Sequence, residues 1–274
     1  MARDSLPIKG FAGAALALAL SLAQAQVHSS RSEHLLRELT ATEASLAAAR
    51  DLRKLGYTHL AAETFGPNMM SQGYVSYASG YYTRNPVYAN FVRDAAKDGW
   101  KLVDYEHRPT DREADSKLPP DERQRQRESG QARNLLERIL AKEPQAKIFI
   151  FAGYGHAQKS TTGSVRMMAD YFKEMSKIDP LCVDQALMFP HVRAEAEHAL
   201  YPALASKGAS KGGGKPVVLR GVDGTCQVFA SPPGAYDMQV IHPALPLDPA
   251  TGRGIEWQGC PNLAAPRRTR FRSG

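Results

Sequence analysis

Residues 147–160 read KIFIFAGYGHAQKS. Residues 148–152 form an apolar, β-prone run of the kind that fills a protein interior, so a strand is predicted here. The run breaks at Gly153, Tyr154 and Gly155. Two glycines permit backbone angles and close approaches that side chains would block, so this turn can deliver His156 to the carboxyl edge of a sheet.

Upstream, the pattern alternates. Residues 32–54 have leucine and alanine at helical spacing and stop at Gly56. YTHLAAETF follows as a strand ending at Glu63. Residues 66–84, rich in Gly, Tyr, Ser and Met, read as a long ordered loop. Asn85 and Pro86 are the N-cap and first position of a helix that runs to Gly99. KLVDYE is the next strand, ending at Glu106. A polar loop with Pro119-Pro120 then leads to a long helix over 121–143, closed by Pro144.

Downstream, SVRMMADYFKEMSKI predicts a further amphipathic helix and LCVDQALMF a fourth strand. Residues 205–215 read as a flexible Gly/Lys/Ser loop. PVVLRG, TCQVFAS and YDMQVIHP are three short strand-like segments that can add an antiparallel edge or a small β appendage. Helices alternating with strands argue for an α/β fold: a mainly parallel sheet with flanking helices and short additional β segments near the C-terminus. The expected organisation is a single domain over 26–242 with an irregular tail over 243–274.

The 274 residues are enough to bury a core without disulfides, and 43% hydrophobic with 23% charged residues is ordinary for a globular chain. The formal charge of +7 gathers at the chain ends and over 206–220, and no nucleic-acid motif accompanies it, so no nucleic-acid partner is expected. Arg3 and Lys9, the apolar residues 10–22 and Ala23-Gln24-Ala25 have the order of a secretory signal peptide. Residues 1–25 are therefore expected to be a leader and the protein periplasmic or secreted. The apolar run is too short for a stable membrane span. Cys182, Cys226 and Cys260 support at most one disulfide and no cysteine zinc site.

Ligands of open parallel sheets bind outside the carboxyl ends of the strands. Three predicted strands end on groups able to do chemistry: Glu63, Glu106 and, past the turn, His156. A histidine beside two carboxylates has its cation stabilised, or serves as a general base oriented by one of them. The same trio can ligate zinc, manganese or iron, although helical His-x-x-x-His spacing is absent. A second constellation is RESGQARN, where Arg127, Gln131 and Asn134 fall at i, i+4 and i+7 on one helix face, with Glu128 beside them.

HLAAETF, SGYYTRNPVYANFVRDA, LVDYE, RESGQARN and FAGYGHA, in this order, resemble the superfamily that contains erythromycin esterase-like proteins, haem-binding ChaN proteins and Tiki proteases, over roughly residues 50–200. RESGQARN is similar to the esterase motif Arg-Glu-x-x-Met-Ala-x-Asn, with Gln131 in place of methionine. AGYGHA is similar to Ala-His-Asn-x-His, with His156 kept and Gly153 where the first histidine stands. Glu63 takes the place of the family's acidic residue after its second strand. The family opens with a strand ending in Gly-Glu-x-His or Asn-Glu-x-His. No such strand is read before Ser32, and His28, Glu33 and His34 are the nearest counterparts.

The resemblance implies an α/β domain with its site at the strand ends, and in the esterase branch hydrolysis of an ester, lactone or amide. His156, Glu63, Glu128 and Arg127 then form the catalytic set, and Tyr82, Arg84, Glu106, Tyr154 and Asn134 contact a small-molecule substrate. No cofactor is required in that reading. The ChaN branch implies instead haem or another apolar ligand against Tyr74, Tyr77, Tyr81 and Tyr82. A divalent metal at the same site, and an inactive paralogue that lacks the first-strand motif, are both compatible with these residues. The sequence leaves oligomeric state open.

Overall fold

The computed structural model describes residues 19–22, 45, 48–67, 69, 74–153, 155–160, 163, 165–191, 194–212, 216–230, 232–243, 247–248 and 253–254. The first strand is β1 (Ala19–Leu22), and helix α1 is described over 48–54. Then come β2 (His59–Ala62), α2 (Pro86–Lys97), β3 (Lys101–Asp104), α3 (Arg112–Ser116), α4 (Pro120–Leu135), β4 (Ile148–Gly153) and α5 (Met168–Ser176). The chain continues through β5 (Val183–Met188), α6 (Tyr201–Gly212), β6 (Val217–Val218), β7 (Met238–Ile241) and the short pair β8 (Leu247–Asp248) and β9 (Arg253–Gly254).

The principal sheet is parallel, in the order β1-β4-β2-β3. A small mixed sheet holds β5, β7 and β6, with β5 and β7 parallel and β6 antiparallel at the edge. The protein is thus a mixed α/β fold. Among the described residues no helix is long and apolar enough to cross a membrane.

Side-chain alternation on β4 explains why its sequence has no polar position. Phe149 and Phe151 face one cluster, with Leu60, Ala62, Tyr88, Phe91, Val92 and Trp100, under α1 and α2. Ile148, Ile150 and Ala152 face the opposite cluster, with Tyr105, Ala132, Leu135, Met168 and Phe172, under α4 and α5. A strand covered on both faces reads as a continuous apolar run. Burying each phenylalanine stabilises the fold by about 1.5–3 kcal/mol, which ties the sheet to both helical layers.

Local signals set the element ends. Asn85 caps α2 by accepting from the backbone N–H groups of Val87 and Tyr88, and Pro86 fills the first turn. Gly56 and Gly99 carry positive φ at the helix stops. The long helix does not stay α-helical to 143: α4 ends at Leu135 and passes into a π-helical turn over Leu136–Leu140. The polar loop before it contains α3, capped by Asp111. The helix expected from Ser164 begins at Met168.

Three expectations are corrected. Residues 205–215 do not form a flexible loop as a whole, because α6 continues through Gly212; Ala209 and Lys211 favour helix and Pro202 lies in its first turn, outweighing the glycines. TCQVFAS is not a strand: only an isolated bridge joins Cys226 to Arg220. A strand does precede α1. Ala19–Leu22 pairs in parallel with residues 150–153 of β4, and β1 also runs alongside β5, so it fills the space between the two sheets. These four residues lie within the apolar run 10–22 that reads as part of a leader, before Ala23-Gln24-Ala25. His28, Glu33, His34 and most of the tail over 243–274 lie outside the described residues.

Candidate active site

The chain passes from β2 through α2 to β3 on one side, then returns over α4 to β4 on the other side of β2. Because α2 and α4 pack on opposite faces, β2 and β4 flank a topological switch point, where open sheets hold ligands. Glu63 follows β2 and His156 follows β4 at this place. Their juxtaposition results from strand order, which local sequence signals leave undefined.

His156 is buried, and its ring sits among three side chains. Nδ1 lies 2.7 Å from Glu128 Oε2. Nε2 lies 3.2 Å from Nη1 of Arg127 and 3.4 Å from Glu63 Oε2. The Glu128 carboxylate is fully buried and also accepts from the Met168 backbone N–H at 2.8 Å and from the Gln124 amide. Those bonds hold it in place as an orienting group for the imidazole. Glu63 is fixed by the backbone N–H of Gly153, 2.9 Å from its Oε2.

Burial works against the imidazolium of His156. The charge of Glu63, then the hydrogen bond and charge of Glu128, outweigh that cost and the opposition of Arg127, so its pKa stands above the ordinary value.

The Arg127-Gln131-Asn134 face turns toward the end of β3. Arg127 donates to both oxygens of Glu106, at 3.0 and 2.7 Å, and Gln131 donates to the same carboxylate at 3.0 Å. Asn134 donates to the carbonyls of Tyr105 and Glu106, each at 3.0 Å. Glu106 is therefore the partner of Arg127 and not of His156. This bidentate pair orients the guanidinium with Nη1 left for the histidine, and the pair raises the arginine's pKa although burial lowers it.

Tyr82 and Arg84 belong to a short 3-10 turn that folds back on the residues after Glu63. The Tyr82 N–H donates to Thr64 Oγ1 at 2.7 Å, and Gly80 lies so close to the Thr64 carbonyl that a side chain there has no room. Tyr154 lies outside the described residues. Gln124, Tyr88 and the Met168 amide carry no distinctive motif in the sequence. Gln124 stands four residues before Glu128 on the same helix face, a spacing that carries the signal for the pair. Tyr88 is buried, its hydroxyl has no hydrogen-bond partner among the described residues, and the charge of Glu63 reaches it.

Gly153 occupies the position where the resembling family has a histidine. A Cβ there would lie 3.2 Å from His156 Cδ2 and 3.3 Å from Glu63 Oε2, so any side chain separates the two. Gly153→Ala is expected to lower the turnover proposed below about tenfold through misplacement of the reacting groups, while thermal unfolding shifts by only a few degrees. An unchanged rate constant sets the close approach aside.

Among the described residues no group of three or more His, Cys, Asp or Glu is arranged to hold a metal ion. Glu63, Glu128 and His156 instead direct their lone pairs and protons to each other and to N–H donors. Cys182 and Cys226 are free thiols. No family profile, curated protein or solved structure matches the chain.

Proposed function

We propose that the protein hydrolyses an ester, lactone or amide bond of a small molecule, with His156 as general base. One observation carries the reading: His156 has Nδ1 committed to a buried carboxylate and Nε2 turned to Arg127 and Glu63, at the switch point of a parallel sheet. An imidazole with one nitrogen oriented by a carboxylate and the other facing polar groups has the arrangement of a general base.

In this reading Nε2 takes a proton from a water held beside Glu63 as the water oxygen bonds to the substrate carbonyl carbon. The oxyanion that forms is stabilised by the Arg127 guanidinium, held in place by Glu106. The bond to the leaving alcohol or amine then breaks, and the imidazolium returns its proton to the leaving atom. Glu128 positions the ring throughout. The Tiki and esterase resemblances support hydrolysis by analogy of motif, and the tyrosine-rich ChaN comparison supports no specific contact at His156.

The test is a panel of chromogenic esters against pH. Activity needs the neutral imidazole, so the ascending limb is expected above the ordinary histidine value of about 6.5. Glu63→Gln removes the charge that raises this pKa and is expected to move the limb to lower pH. His156→Ala is expected to lower kcat/KM about 100-fold or more. A parent limb at or below the ordinary value, or an Ala variant as active as the parent, defeats this assignment.

Stability has the opposite pH sense. A histidine whose folded pKa is raised contributes stability fully below its unfolded pKa, and that contribution disappears as pH rises through the folded value.

A further inference from the structure

The segment after Glu63 carries three exposed tyrosines in eight residues: Tyr74, Tyr77 and Tyr81 are 58%, 66% and 67% exposed. Single exposed aromatics are ordinary, but a cluster beside a candidate site marks a binding surface. Between two of these rings lies the guanidinium of Arg84, its Cζ 4.9 Å from the Tyr77 centroid and 5.4 Å from that of Tyr81. Arg84 is exposed, and among the described residues it pairs with no carboxylate. Arg108 and Arg127, by contrast, are paired with Asp104 and Glu106. Two ring faces hold the planar cation flat and leave its N–H edge to an anion.

The clamp connects to the candidate site through packed rings. Tyr81 meets Tyr82 edge-on at 5.5 Å, Tyr82 meets Tyr88 at 6.0 Å, and Tyr88 packs on Phe151 of β4 at 5.1 Å. Tyr88, 1% exposed, ends this path with a buried hydroxyl that has no hydrogen-bond partner among the described residues, within the electrostatic reach of Glu63. A buried unpaired hydroxyl costs about 1–3 kcal/mol, and a ligand atom that bonds it removes that cost.

We propose that this Tyr77–Arg84–Tyr81 clamp is the recognition subsite for a carboxylate carried on a ring-bearing substrate. Charge gives the orientation. The three carboxylates Glu63, Glu106 and Glu128 outnumber the Arg127 and His156 cations around the ring, so a permanent anion is disfavoured there, while unpaired Arg84 attracts it. The acid end is therefore held at the loop, the ring lies along the tyrosines, and the scissile bond faces His156. The identity of the ring-borne carboxylate rests on the clamp alone, and only the scissile bond rests on the hydrolase reading.

Calorimetric titration with benzoate and its uncharged analogue benzamide separates the two claims, because neither probe is turned over. The parent is expected to bind benzoate about tenfold tighter than benzamide, as a charge-assisted fork contact provides. Arg84→Gln is expected to bind both alike, Arg84→Lys to keep part of the preference, and Tyr77→Ala to weaken both. Equal binding of the two probes by the parent, or a preference that survives in Arg84→Gln, overturns the subsite. Should the parent prefer benzoate yet hydrolyse no ester, the clamp stands and the hydrolase reading falls. Arg84 is exposed, and circular dichroism of Arg84→Gln is expected to match that of the parent.

Discussion

Glu128→Ala is expected to destabilise the protein by about 3–5 kcal/mol, the range for removing one partner of a buried charged pair. The carboxylate is fully buried and satisfies three donors at once: His156 Nδ1, the Met168 N–H at the start of α5, and Gln124. Its loss leaves a buried ring and a buried amide without acceptors, each costing about 1–3 kcal/mol. Relaxation around the cavity decides where in the range the value falls. Urea unfolding checks this, with a lower midpoint and an unchanged slope expected.

Glu128→Gln separates position from charge. Its amide oxygen can still accept from Met168, but with the charge gone, the hydrogen bond and attraction that raise the His156 pKa weaken. The pH–rate limb of this variant is therefore expected to move to lower pH, while its urea midpoint falls less than that of Glu128→Ala. Should Glu128→Ala unfold at the parent midpoint, the carboxylate does not anchor the histidine.

The contrast between Glu128 and Glu106 shows what sequence carries and what it does not. Helical periodicity places Arg127, Gln131 and Asn134 on one face, and in the fold that face meets the end of β3. Periodicity also puts Glu128 beside that face, but a spacing of residues cannot say which neighbouring element each side meets. Strand order decides it: β4 lies between β1 and β2, so Glu128 meets His156 and Met168 while Arg127 takes Glu106. The strands are legible because β2 and β4 are covered on both faces and their apolar runs are continuous. The Gly130 position illustrates the reverse case. His107 packs so closely on it that no Cβ has room, a contact between a loop and a helix with no local signature.

A chain starting at Gln26 is expected to lose cooperative folding. The four residues of β1 pair along the last four of β4, and the same strand runs beside β5, so removing it bares the edges of both sheets together. An edge strand can be trimmed at modest cost because solvent takes over its free N–H and C=O groups. β4 is no such strand: Phe149, Phe151 and Ala152 beside that edge are within 1% of complete burial, and water reaching them opposes both helical layers. The loss is expected to be comparable with the whole stability of a domain, about 5–15 kcal/mol. Thermal unfolding followed by circular dichroism checks it: the full chain is expected to give one sharp transition and the shortened chain a broad, sloping melt. A sharp transition at the parent temperature in the shortened chain means instead that residues 1–25 are a removable leader and that Ala19–Leu22 is no necessary part of the sheet. The two outcomes differ because a cleaved leader carries no folding free energy in the mature protein, whereas a strand paired with β4 and lying beside β5 is part of the folded state that melts.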